Sequence, residues 1–209
     1  MLWHRSLLGL GIFIALAACN PFNSFGNKPV VDFKQNPNPK QRYDITMTIA
    51  NAPGQFASVE SFMQYDVVNS ECLPPPDSNP GGYNSPTPTA EPVVTLRKVS
   101  DTEYIGTFYT DMMIDEDYYG RGICHWKLIQ AGVRLRATGA DGETTFFSTL
   151  HLEDLIYEKP VTTYFWKEGF PRSETDDYPD LGMSDPSKFK PEIQHNLFSV
   201  ILVPKEVQP

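Results

Sequence analysis

Four carboxylates, two tyrosines and an arginine crowd the stretch from Asp111 to Arg121. Carboxylates at that density hold calcium or attract a basic partner. Counted as a calcium loop from Asp115, Asp117 takes the third place and Gly120 the sixth. The fifth place is Tyr119 and the twelfth is Trp126, where a bidentate glutamate is required. The loop-type calcium site fails, and a looser set of Asp111, Asp115 and Asp117 stands beside the reading of a solvated acidic turn. A third reading is a partner-facing patch made of Asp111, Asp115, Glu116, Asp117, Tyr118, Tyr119 and Arg121. Tyrosine and arginine anchor protein interfaces, and acidic side chains speed the encounter with a basic partner. A second acidic segment, Glu174 to Asp180, repeats this chemistry with Asp176, Asp177 and Tyr178.

Catalytic chemistry has little to stand on. His125, His151 and His195 are isolated from one another, and the chain carries no GxSxG, P-loop, HExxH or GxGxxG pattern. No enzyme activity, metal or cofactor is expected. Seventeen basic against 26 acidic residues give a net charge of −9, the wrong sign for tracking phosphates, so no nucleic-acid partner is expected. With 40% hydrophobic and 12% aromatic residues the chain can bury a core, and 19 prolines argue against a mainly helical one.

Residues 1–18 read as an address. Trp3-His4-Arg5 is a short, positively charged start, followed by an apolar run from Leu7 to Ala18. That run falls short of the roughly 20 apolar residues of a membrane span and has the proportions of a secretory signal. It ends Leu16-Ala17-Ala18-Cys19. This resembles the signal of bacterial lipoproteins. The resemblance implies a diacylglycerol on the Cys19 sulfur, cleavage before Cys19, and acylation of the new amine. Loss of Arg5 with the signal would take the net charge from −9 to −10. Each buried acyl CH₂ contributes about 0.8 kcal/mol, and more than one chain gives stable anchoring. In enterobacterial lipoproteins an aspartate after the cysteine favours the inner membrane; Asn20 stands here, so the implied place is the outer membrane, facing the periplasm. Residues 19–41, with Pro21, Pro29, Pro37 and Pro39, read as the lipidated N-terminus and a flexible tether of about 25 Å reach. The domain is expected over 42–209.

With Cys19 acylated, Cys72 and Cys124 remain, and two thiols in an oxidising compartment are expected to form one disulfide. The rival is a thiol nucleophile with a base beside it. His125 follows Cys124 directly, but neighbours on a strand point to opposite faces. Neither cysteine has a second ligand at zinc-finger spacing.

The elements that must position these residues are strands. Tyr43, Ile45, Met47 and Ile49 alternate with Asp44, Thr46 and Thr48, the mark of a half-buried strand. Residues 62–70 read as a second strand with Met63, Tyr65 and Val67 inward; a helix over 57–67 has no clean cap. Residues 73–92 hold seven prolines and read as a long loop. Residues 93–99, with Val93, Thr95, Arg97 and Val99 on one face, are expected to pair with 103–109 across Ser100-Asp101. Strands are expected at 123–129 and 133–138, with a bulge at Gly132. Asp141-Gly142 signals a hairpin to 143–150. A helical turn is expected over 153–158 and a strand over 161–166. Leu197 to Val203 is apolar on both faces and is expected as a central strand covered on both sides.

Eight or nine short strands point to an all-β fold, a single β-sandwich with immunoglobulin-like architecture and long proline-rich and acidic loops. Trp126 should lie on the same face as Cys124, beside the disulfide. The run Tyr119-Gly120-Arg121-Gly122-Ile123-Cys124-His125-Trp126, behind a lipoprotein signal and on a short β-rich domain, is similar to periplasmic immunity lipoproteins that accompany antibacterial effectors, including type VI phospholipases. That resemblance implies binding and inhibition of a toxic secreted effector. An alternative is a structural or assembly lipoprotein of an envelope or secretion complex. A sugar-binding or hydrolytic module, with Trp126 or Trp166 stacking on sugars, is a third reading.

Overall fold

The alternation of Tyr43, Ile45, Met47 and Ile49 is realised as β1 (Arg42–Ala50), in which all four side chains are buried. The computed structural model describes residues 31–75 and 87–208. The signal at 1–18, Cys19, the tether up to residue 30 and the middle of the proline loop, 76–86, lie outside the described residues. The remaining strands are β2 (Ser58–Val67), β3 (Thr89–Ala90), β4 (Arg97–Lys98), β5 (Glu103–Tyr109), β6 (Trp126–Arg136), β7 (Thr145–His151), β8 (Val161–Trp166), β9 (Pro179–Asp180) and β10 (Leu197–Val207). One short helix, α1 (Leu152–Ile156), stands where the turn before Pro160 was expected.

The strands form two five-stranded sheets, ordered β4-β5-β1-β10-β8 and β3-β2-β6-β7-β9. All pairings are antiparallel except β7 with β9. The fold is an all-β sandwich. Its core fills the space between the sheets: Ile45, Met47, Phe108, Val200 and Leu202 from the first face Met63, Tyr65, Leu128, Leu135 and Phe146 from the second. Phe146, Phe165 and Phe198 meet there, with centroids 5.1–5.4 Å apart. The Tyr65 hydroxyl donates to the Tyr109 carbonyl, joining the sheets near one end. At the other margin the Ser148 and Thr163 hydroxyls bond at 2.8 Å.

Four expectations are corrected. Over 93–99 the face is inverted: Val94 and Leu96 pack on the core while Val93 is 88% exposed. Gly106 leaves room that Leu96 fills, and the Ser61 hydroxyl holds the Val94 carbonyl. Only Arg97–Lys98 form strand there. Residues 126–136 are one strand, and the extra residue is Ile129, because Gln64 pairs with Gln130 but Tyr65 pairs with Leu128. Gly132 is no bulge; a β-carbon there would strike the Ser148 carbonyl and come 3.0 Å from the Phe62 ring. β10 lies between β1 and β8, yet Val203 is 39% exposed, so its outer face is only partly covered. Residues 32–41, assigned above to the tether, belong to the domain unit. Gln35 bridges Met113, and the Phe33 ring meets Trp126 edge-on at 4.9 Å.

Candidate functional site

Cys72 and Cys124 are joined in a disulfide, so neither is a free thiol and the nucleophile reading falls. Cys72 ends a short 3-10 turn after β2, and Cys124 precedes β6, the neighbour of β2 in the same sheet. The bond clamps two adjacent strands at one end of the sandwich; it does not cross between sheets as in immunoglobulin domains. Val67 packs beside it, with Tyr118, Tyr119 and Trp126 around that cluster. Trp126 thus belongs to the packing at this end, and this assigns it no role as a sugar platform.

The acidic run 111–117 is tied down residue by residue. Asp111 accepts from the backbone N–H groups of Lys40 (2.8 Å) and Gln41 (3.0 Å). Asp115 uses one oxygen on the His125 ring and the other on the Trp126 N–H, both at 2.8 Å. Glu116 pairs with the Lys34 ammonium at 2.7 Å. Asp117 accepts from the Arg121 N–H at 2.9 Å. That bond, with further backbone N–H groups of the same turn, holds its carboxyl below the usual aspartate range. The turn depends on Gly120 and Gly122, whose φ values of 68° and 108° lie where side chains are strained. The Tyr118 hydroxyl donates to the Ile114 carbonyl at 2.7 Å while its ring packs edge-on against Phe33. Asn69 closes the clamp: its amide donates to the Ile123 carbonyl and its oxygen accepts from the His125 N–H. No sequence signal singled out Asn69 or Lys34.

These bonds turn Asp111, Asp115 and Asp117 toward different partners. Among the described residues, no three His, Cys, Asp or Glu side chains converge to hold a metal ion. The clamp leaves Arg121 exposed, along with the Asp115, Asp117 and His125 side chains and the apolar Ile123 and Val68, at 53% and 55% exposure. Val68 and Ile123 flank the junction where the Val68 N–H donates to the His125 carbonyl.

The second acidic loop lies elsewhere. Asp177 accepts from the Gly142 N–H at 2.7 Å, Asp176 pairs with Arg172 at 3.4 Å, and Tyr178 is 44% exposed. The Tyr178 carbonyl accepts from Thr145 at the start of β7, opposite the far end of β6. The clamp stands at Trp126, where β6 begins. At roughly 3.3 Å per residue, the length of β6 puts about 33 Å between the two acidic loops. They form two separate surfaces at opposite ends of one sheet.

Among the described residues no helix is long and apolar enough to cross a membrane. Compared with known proteins, the chain matches no family model, no curated protein and no solved structure.

Proposed function

We propose that this protein is a lipid-anchored binding protein of the bacterial periplasm that captures and inhibits a toxic secreted effector. The reading rests on the lipoprotein-type run Leu16-Ala17-Ala18-Cys19. The structural observation that supports it is the clamped end of the sandwich. Its loop is fixed by a disulfide, by Asn69 and by four carboxylates engaged with other groups, so little conformational freedom remains to be lost on binding. It exposes Arg121 together with the apolar side chains Ile123 and Val68, and arginine is a residue type that anchors protein interfaces. Phe33 packs on Tyr118 and Lys34 pairs with Glu116 in this same loop. An inhibitor needs no catalytic group. If the effector works on membrane lipid, tethering to a membrane raises the inhibitor's effective concentration there.

The test is affinity capture of the full-length lipidated chain from envelope extract, repeated with Arg121→Glu and Ile123→Asp. A single effector-like partner, retained at one-to-one stoichiometry and lost with both variants, supports the proposal. Capture of a large envelope complex that both variants retain overturns it in favour of an assembly lipoprotein. So does a deletion that leaves killing by neighbouring cells unchanged.

A further inference from the structure

The outer face of the second sheet carries a groove of about 720 Å³ that the proposed inhibitor function does not use. That volume lies within the roughly 300–1,000 Å³ of small-ligand sites. Its floor is built by register. Gln64, Gln130 and His151 stand in one row across β2, β6 and β7; Phe62, Gly132 and Thr149 stand in the next. Gly132 has no side chain, so the Phe62 ring lies down across the sheet at that point. The Arg134 guanidinium stacks over Phe62 at 4.9 Å and reaches Phe147 at 5.9 Å. One wall is Glu91, which follows β3; the opposite wall is Lys159, Leu181 and Ser184. From β3 across β2 and β6 to β7, at about 4.8 Å between strands, the groove is roughly 14 Å long.

The polar groups come in fixed donor–acceptor pairs. The Gln130 amide donates to the Gln64 oxygen at 2.7 Å, and Gln64 donates to Asp66 at 3.1 Å. Arg134 pairs with Glu91 at 3.2 Å and Lys159 with Asp154 at 3.7 Å. Each pair keeps unused capacity: the Gln130 oxygen still accepts, and the Arg134 guanidinium still has N–H groups to donate. Two cations facing two carboxylates make the lining neutral in a chain of net charge −9. Recognition across the floor falls to side chains, because the β2, β6 and β7 backbones are paired with one another. An extended peptide adding as a strand would find no free ladder there.

Adjacent fixed donors and acceptors match hydroxyl groups, each of which both donates and accepts. Phe62 is buried beneath the Arg134 guanidinium, so the flat surface left to a ligand is the guanidinium with the half-buried Phe147 ring. That surface matches the C–H face of a sugar ring, and a neutral lining matches an uncharged one. We propose that this groove binds a neutral oligosaccharide of two or more rings. The reading is independent of the inhibitor function and uses different residues.

The experiment is titration of the full-length protein in detergent with chitotriose, maltotriose, cellotriose and trigalacturonate, followed by NMR of side-chain amides and by calorimetry. At least one neutral trisaccharide should shift the Gln64 and Gln130 amide signals. Its Kd should rise roughly tenfold or more in Gln130→Ala and in Phe147→Ala. Val203→Thr, on the other sheet, should leave it unchanged. Circular dichroism establishes that each variant is folded, and Gln130→Ala, a partly exposed site, keeps the test available should Phe147→Ala unfold. The proposal is overturned by no binding of any neutral probe up to millimolar concentration, by binding of trigalacturonate alone, or by neutral binding that Gln130→Ala leaves intact.

Discussion

Replacing Cys72 and Cys124 together by alanine opens a loop whose ends are 52 residues apart. On chain-entropy grounds, a cross-link of that span removes enough freedom from the unfolded chain to stabilise the fold by about 4 kcal/mol. The native junction has other ties. The Val68 N–H reaches the His125 carbonyl at 2.9 Å, and the Asn69 amide reaches the Ile123 carbonyl at 2.9 Å. The folded clamp should therefore survive, and the loss should arise in the unfolded state. For a domain of this size each kcal/mol moves the Tm by about 2–4 °C. The double variant should melt roughly 8–16 °C below the wild type, with a lowered urea midpoint. Its m-value should rise, because the uncrosslinked chain exposes more surface on unfolding. Urea titration followed by tryptophan fluorescence reads both quantities, and reductant added to the wild type should reproduce them. A loss below about 1 kcal/mol with an unchanged m-value would contradict a disulfide that acts through the unfolded chain.

Gly132→Ala places a methyl group against the Ser148 carbonyl and the Phe62 ring, and should cost about 1–3 kcal/mol in thermal melts; a variant as stable as the wild type contradicts the close-packed floor. Burial pushes the Asp180 carboxyl above its usual range, only partly offset by the Gly182 N–H. Folding therefore favours its protonated form: the penalty is absent below the ordinary aspartate pKa and grows as pH rises through the folded value. Asp180→Asn should melt higher than the wild type at pH 7, and the gap should close in acid. Burial would raise the Glu143 carboxyl, but hydrogen bonds from the Thr138 N–H and hydroxyl and the Gly139 N–H, with the nearby Arg136 charge, hold it below the usual range. Its contribution is present above the ordinary glutamate pKa and lost as pH falls through the folded value. Glu143→Gln should thus be destabilised at pH 7 and converge on the wild type in acid, and a gap that widens in acid contradicts the assignment.

The sandwich was legible because period-two alternation is a strong signal where one face is buried and the other wet, as in Tyr43 to Ile49. It failed at 93–99, where both parities carry apolar residues. There the inward face is decided by the space above Gly106, a tertiary fact. It failed again at Gly132, since a glycine that admits a neighbouring ring and one that makes a bulge look alike in a sequence. The cysteine pairing followed from counting, but its place did not: the bond clamps neighbours within one sheet. The acidic residues at 111–117 were visible as a charge cluster, whereas their duties as backbone acceptors depend on Lys40, Gln41 and Trp126 arriving from distant parts of the chain. The groove left no trace in the sequence because its lining comes from separated strands, and cross-strand rows exist only once register is set.

Radiolabelled palmitate would show whether Cys19 carries the proposed lipid anchor. Wild type and Cys19→Ser would be expressed in a bacterial host, labelled, and separated by ultracentrifugation. The wild type should be labelled and sediment with membranes, and the variant should carry no label and not acquire the mature, membrane-bound form. A wild type without label, or a serine variant still labelled and still sedimenting with vesicles, would contradict the anchor.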